Sequence, residues 1–195
     1  MKTKEKLVYV HGLSSSGATG SAKNLQLCFP EYEVLAPDMP MDPIVALQLL
    51  KDICKKHRPL VVVGTSMGGM FTQQLHGQKK ILVNPAFRIS ELMRQDLGEH
   101  PFINPRKDGV KTFTLTEELC EQYEAMEKLQ FEGITNYDRK YTYGLFGTKD
   151  TLVNCQAEFD AHYKNKVLFE GEHRLNMGVI VDYVVPLIGE LVDDF

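Results

Sequence analysis

Ser66 lies between two glycines in Gly64-Thr65-Ser66-Met67-Gly68, a spacing that acyl-transfer chemistry can use. A serine hydroxyl is a weak nucleophile until a base takes its proton, and that base needs a third group to orient it. Six histidines are available in the chain. His173, in Gly171-Glu172-His173, follows an apolar run and stands where a loop would present it. Asp150, in Gly147-Thr148-Lys149-Asp150, likewise follows an apolar run. A buried carboxylate there could hold an imidazole in one tautomer and stabilise the imidazolium. An ordinary turn or helix-capping aspartate is the bland alternative. Asp38 is the other carboxylate beside a strand end, but it precedes Ser66. His11 also precedes Ser66 and abuts a strand, so it reads as a partner of its own turn. His57, His76, His100 and His162 fall in helices, at helix ends or in a loop, with surface roles.

The elements that must position these residues can be read from apolar runs. Leu60-Val61-Val62-Val63 has the composition of a strand buried on both faces. A helix from about Met67 to His76 follows, with Met67, Met70, Phe71 and Leu75 on one face and Gly77 as a stop. A strand, a serine on a strained turn and a helix make a nucleophile elbow, with Oγ held above the sheet. The Met67 N–H can then receive an oxyanion. An earlier strand, Leu7-Val8-Tyr9-Val10, runs into His11-Gly12-Leu13, and the Leu13 N–H is the second candidate donor. Helices are expected from about Ser21 to Phe29 and after Asp42, which caps a helix with Pro43 in its first position. The basic run Lys55-Lys56-His57-Arg58 complements the end of the second of these. Short strands are read at Glu33–Ala36 and Lys80–Val83. Strand and helix therefore alternate as far as Asn84-Pro85, which argues for parallel pairing with right-handed crossovers.

From about Ala86 to Lys140 the alternation breaks, with a short helix from Ser90 and another capped by Thr114 or Thr116. An excursion there is expected to be a helical cap over the site; a helical decoration of the sheet is the alternative. Strands resume at Tyr141–Phe146 and Lys166–Phe169, and a kinked helix with Pro186 is expected from Leu175 to Val192. Ser66, Asp150 and His173 thus each follow a strand, and in a parallel sheet all three reach one edge. The expected architecture is a single α/β domain over residues 1–195. It is a compact α/β-hydrolase fold, with a mostly parallel sheet of about six strands, helices on both faces and a cap insertion at 86–140. That fold carries nucleophile, acid and base in this chain order.

Composition narrows the partners. The 195 residues are 43% hydrophobic and 25% charged, with a net charge of −4 that leaves no basic footprint for nucleic acid. Four cysteines without a C-x-x-C pair read as free thiols of a reducing compartment. The charged opening Met1-Lys2-Thr3-Lys4-Glu5-Lys6 precedes only four apolar residues, Leu7 to Val10, too few for a signal segment. A cytoplasmic location with no membrane span is expected. Gly12-x4-Gly17-Ala18-Thr19 approaches a phosphate-binding loop, but Ala18 occupies the place of the lysine that such loops need. No metal and no organic cofactor are called for.

The phrases Tyr9-Val10-His11-Gly12-Leu13-Ser14-Ser15-Ser16, Gly64-Thr65-Ser66-Met67-Gly68-Gly69 and Val83-Asn84-Pro85-Ala86-Phe87-Arg88 together resemble the YqiA/YcfP family of bacterial esterases. The likeness extends through Glu91-Leu92 and Asp96-Leu97-Gly98-Glu99. Where that family often has Gly-Asn-His, this chain has Gly171-Glu172-His173. The resemblance implies a compact hydrolase acting on carboxylic esters or thioesters, with triad residues at Ser66, Asp150 and His173. Amide or peptide hydrolysis by the same triad, and a hydrolase fold used only for binding, are the alternatives. Arg88 could meet an anionic group of a substrate or form a salt bridge within the cap. A small acyl ester or thioester is the expected partner, and the oligomeric state is left open.

Overall fold

In β1 (Lys6–Val10), β3 (Val61–Thr65) and β4 (Lys80–Val83), consecutive apolar side chains point to opposite faces of one sheet. Leu7, Tyr9, Val61, Val63, Ile81 and Val83 enter one core cluster. Val8, Val10, Val62 and Leu82 enter the other. A computed structural model describes residues 4–193; Met1 to Thr3 of the charged opening lie outside the described residues.

The sheet has six strands in the order β2-β1-β3-β4-β7-β8, every neighbouring pair parallel. The remaining strands are β2 (Glu33–Leu35), β7 (Thr142–Gly147) and β8 (Asn165–Phe169). The chain leaves β1 in one direction to form β2, then returns to place β3 on β1's other side. Connections from β1 and β3 thus diverge, and the crevice between them at the strands' carboxyl ends is where open α/β sheets bind ligands. Gly12 follows β1 and Ser66 follows β3, so both stand at that crevice.

Helix α1 (Gly20–Cys28) contributes Ala22 and Leu25 to one cluster, with Ile180, Val184, Ile188 and Leu191 from the C-terminal segment. Helices α2 (Pro43–His57) and α3 (Met67–Gln73) pack into the other cluster. Asp42 caps α2 as expected, accepting from Ile44 N at 2.9 Å and Val45 N at 3.0 Å, with Pro43 opening the helix. α3 is shorter than its apolar stripe implies. Gln74 N already donates to the Phe71 and Thr72 carbonyls, which tightens the turn, although Leu75 stays buried.

Between β4 and β7 lie α4 (Ile89–Arg94), α5 (Glu117–Leu129) and α6 (Asn136–Lys140), but also a hairpin of β5 (Gly98–Pro101) with β6 (Thr112–Leu115). The excursion is therefore not purely helical, a correction to the sequence expectation. Of the alternative caps, Thr116 caps α5 by accepting from Leu119 N at 3.2 Å. Helix α7 (Gln156–His162) joins β7 to β8. The C-terminal segment is kinked as expected: α8 (Met177–Val179) passes through a π turn at Ile180–Val184 into α9 (Val185–Asp193). Pro186 lacks an N–H, and the wider turn before it accommodates the interrupted bonding. None of the described helices is long and apolar enough to cross a membrane.

One buried pair had no sequence signal. Lys80 Nζ donates to Asp138 Oδ1 at 2.9 Å with both side chains at 0% exposure, at the sheet edge opposite Ser66. Asp138 also accepts from Gly77 N and from Thr135 N and Oγ1. Burial pushes the Asp138 carboxyl up, but the Thr135 hydrogen bonds and the Lys80 ammonium outweigh it and hold it well below the usual carboxylate range. Asp138→Ala strands the lysine and is expected to cost about 3–5 kcal/mol in urea unfolding at neutral pH. Because the folded carboxyl titrates below its unfolded value of about 3.9, its stabilisation is full above that pH. It is lost as the pH falls toward the folded value, so the variant should lose less stability than wild type on acidification.

Candidate active site

Ser66 takes φ 56° and ψ −122°, a backbone conformation that L residues rarely hold, immediately before α3. The neighbouring glycines are what let the chain make this turn. A Cβ on Gly64 would land on Thr72 Oγ1 and the Gly68 carbonyl; one on Gly68 would land on the Val10 and His11 carbonyls. Gly68 therefore lets the elbow press directly against the end of β1. Ser66 N donates to Val83 O at 3.0 Å, and Ser66 O accepts from Ala86 N at 3.0 Å. These bonds clamp the elbow to the end of β4.

The loop after β1 closes over the same point. A Cβ on Gly12 would lie 3.2 Å from Ser66 Cβ and 3.7 Å from Ser66 Oγ, so the backbone beside Leu13 runs next to the hydroxyl. His11 is 2% exposed. Its Nδ1–H donates to Gly12 O at 2.8 Å while Nε2 accepts from Met39 N at 3.0 Å. Both ring nitrogens are thus engaged, and burial pushes the imidazole's pKa down, so His11 is neutral and holds its turn.

Asp150 and His173 meet because β7 and β8 stay zipped beyond their ends. Gly147 pairs with Phe169 in register, then Thr148 N donates to Phe169 O and Lys149 N to Gly171 O, each at 2.9 Å. The next side chains converge: His173 Nδ1–H donates to Asp150 Oδ2 at 2.7 Å. The carboxylate is 3% exposed and the imidazole 17%. Asp150 Oδ1 accepts from Leu152 N at 2.9 Å and Val153 N at 3.1 Å. Both oxygens are therefore assigned, and with Nδ1 protonated His173 has Nε2 free to accept a proton. The structure brings Asp150 and His173 into direct contact. Ser66 Oγ forms no hydrogen bond to His173 among the described residues; such bonds commonly tighten only with substrate bound.

Asp38 has different work. Its Oδ1 accepts from Gly17 N at 2.7 Å and its Oδ2 from Lys107 N at 2.6 Å. It ties the loop after β1 to the excursion. The same seam includes Ile103 N to Ser14 O at 2.8 Å, Asn104 Nδ2 to Ser15 Oγ at 3.1 Å and Ser16 Oγ to Pro105 O at 2.8 Å. Segment 103–107 thus lies along the loop that carries Leu13, a contact no sequence pattern announced. Arg88 pairs chiefly outside the excursion, its Nε 2.9 Å from Glu158 of α7, while the partner within the excursion, Glu91, lies 3.7 Å from its Nη1.

The sequence of residues 6–187 matches the uncharacterised protein family UPF0227. The chain belongs to that family, the YqiA/YcfP-like esterases that its motifs resemble. Among solved structures, Est1E from Butyrivibrio proteoclasticus superimposes with a TM-score of 0.69 at 17% identity, covering 100% of this chain and 90% of that one. The thioesterase domain from the curacin biosynthetic pathway gives 0.60 at 14% identity, covering 97% and 91%. A pyrethroid hydrolase from Sphingobium faniae JZ-2 gives 0.60 at 14% identity, covering 98% of each chain. At these identities the likenesses establish the α/β-hydrolase fold of this UPF0227 member.

Proposed function

We propose that the protein is a serine hydrolase that cleaves carboxylic esters or thioesters through an acyl-enzyme. The observation that carries the reading is the Asp150–His173 contact, 2.7 Å long and largely withdrawn from water, on the same sheet edge as a serine on a strained elbow. His173 Nε2 takes the Ser66 proton as Oγ attacks the acyl carbonyl. The N–H groups of Leu13 and Met67 receive the developing oxyanion. Protonated His173, held by Asp150, gives its proton to the leaving alcohol or thiol. It then takes a proton from the water that attacks the acyl-serine and returns that proton to Ser66 Oγ as the ester bond breaks, releasing the acid and restoring the free serine.

The excursion at 86–140 acts as a cap, its segment 103–107 bracing the loop that supplies the Leu13 donor. Hydrolysis of p-nitrophenyl esters of increasing chain length tests the reading: turnover should appear with wild type and be lost in Ser66→Ala. A fluorophosphonate probe should modify Ser66 covalently. Absence of both turnover and labelling would move the weight to a binding role for the fold.

A further inference from the structure

We propose that Asn84 is a positioning residue that fixes the main chain of His173; this rests on the serine-hydrolase reading. Asn84 follows β4, between the strand that delivers Ser66 and the strand that delivers Asp150. Its φ of 43° lies in the left-handed region, which asparagine enters more readily than most side chains. Its backbone still extends the ladder, Asn84 N donating to Leu145 O at 2.8 Å. The residue is 2% exposed, and its side chain runs across to the end of β7 and the loop that follows β8.

Both ends of its amide are bonded there. Oδ1 accepts from Gly147 N at 2.7 Å, and Nδ2 donates to Glu172 O at 3.1 Å and to His173 O at 3.0 Å. His173 is therefore held twice, by Asp150 at its ring and by Asn84 at its carbonyl. The loop also packs closely against the end of β7, since a Cβ on Gly147 would lie 2.5 Å from Gly171 O. Each feature of asparagine is used. Aspartate has no donors for the two carbonyls, glutamine is one methylene too long, and most other side chains resist the positive φ. The residue before it, Val83, accepts the Ser66 N–H, so one short segment references both nucleophile and base.

Asn84→Asp is the informative variant, because it keeps the shape and the acceptor for Gly147 N but turns both donors into acceptors facing carbonyls. It should stay folded at ambient temperature while kcat falls roughly 10- to 100-fold, the size expected of an ångström-scale displacement of a reacting group. KM should move less than about twofold, since ground-state binding is untouched. The downfield NMR resonance of the His173 Nδ1 proton, bonded to Asp150 in wild type, should shift or broaden. Asn84→Gly, which keeps the positive φ without any side-chain bond, should lose at least as much kcat. Lowered stability with wild-type kcat and an unmoved imidazole resonance would overturn the positioning role. Ser66→Ala is run beside these variants. Turnover that depends on Ser66 but survives both Asn84 changes refutes the role of Asn84 alone. A wild type without Ser66-dependent turnover removes the hydrolase reading and this role with it.

Discussion

Ser66→Ala is expected to lower kcat/KM toward esters by about 10⁴- to 10⁶-fold, because it removes the proposed nucleophile. Whatever remains would come from substrate binding and from the proposed oxyanion donors, the Leu13 and Met67 N–H groups, stabilising the oxyanion that forms when water attacks directly. The fold should be unaffected, since Ser66 Oγ makes no hydrogen bond among the described residues and its backbone bonds to Val83 and Ala86 are retained. Stability gives an independent check on the elbow. A non-glycine residue at φ 56° and ψ −122° holds about 1–3 kcal/mol of backbone strain. Alanine keeps that strain, whereas Ser66→Gly relieves it, at some cost in unfolded-chain entropy. The glycine variant should thus be inactive yet more stable than the alanine variant by about 1 kcal/mol, read as a higher urea midpoint with an unchanged slope. Equal midpoints would mean that the turn is not strained, and retained turnover in either variant would remove Ser66 from the nucleophile's role.

The parts of this arrangement that were legible in the chain are those written in contiguous residues. Apolar runs such as Leu7–Val10 and Val61–Val63 mark strands buried on both faces, and their alternation with helical spacing implies a parallel sheet. The elbow is legible because Gly64 and Gly68 each sit where a side chain would strike backbone, so local composition encodes a tertiary contact. The contact between Asp150 and His173 could be expected only through the strand ends that carry them. The hairpin of β5 and β6 is only half legible: Thr112-Phe113-Thr114-Leu115 alternates exposed polar with buried apolar residues over a bare four positions, while Gly98-Glu99-His100-Pro101 lacks alternation and contains a proline. The pairing of Lys80 with Asp138 had no local signal because it spans 58 residues and depends on where α6 docks. Asn84 reads as the polar end of a strand, and nothing local shows that its φ is positive or that its amide reaches residues 88 and 89 positions away.

Asp150→Asn is expected to lower kcat by about 10⁴-fold while leaving KM and the fold nearly unchanged. The reason lies in the two oxygens. Oδ1 already accepts from Leu152 N and Val153 N, so an asparagine must keep its oxygen there and turn its NH₂ toward His173. The opposite orientation would aim NH₂ at two N–H donors. Facing that NH₂, His173 Nδ1 can only accept, which drives the ring proton to Nε2, the atom that must take the proton of Ser66. The base is thereby present but in the wrong tautomer. Asp38→Asn supplies the contrast, because Asp38 binds Gly17 N and Lys107 N and no imidazole. An amide there loses one of the two bonds and sets NH₂ against N–H, at a cost of about 1–3 kcal/mol in unfolding. Its kcat should stay within about tenfold of wild type, since the Leu13 loop retains its bonds to Ile103 and Asn104. The two variants should therefore fail differently, one in turnover at full stability and the other in stability with turnover largely kept. The reverse pattern would make Asp38 the acid and leave the Asp150–His173 contact a structural one.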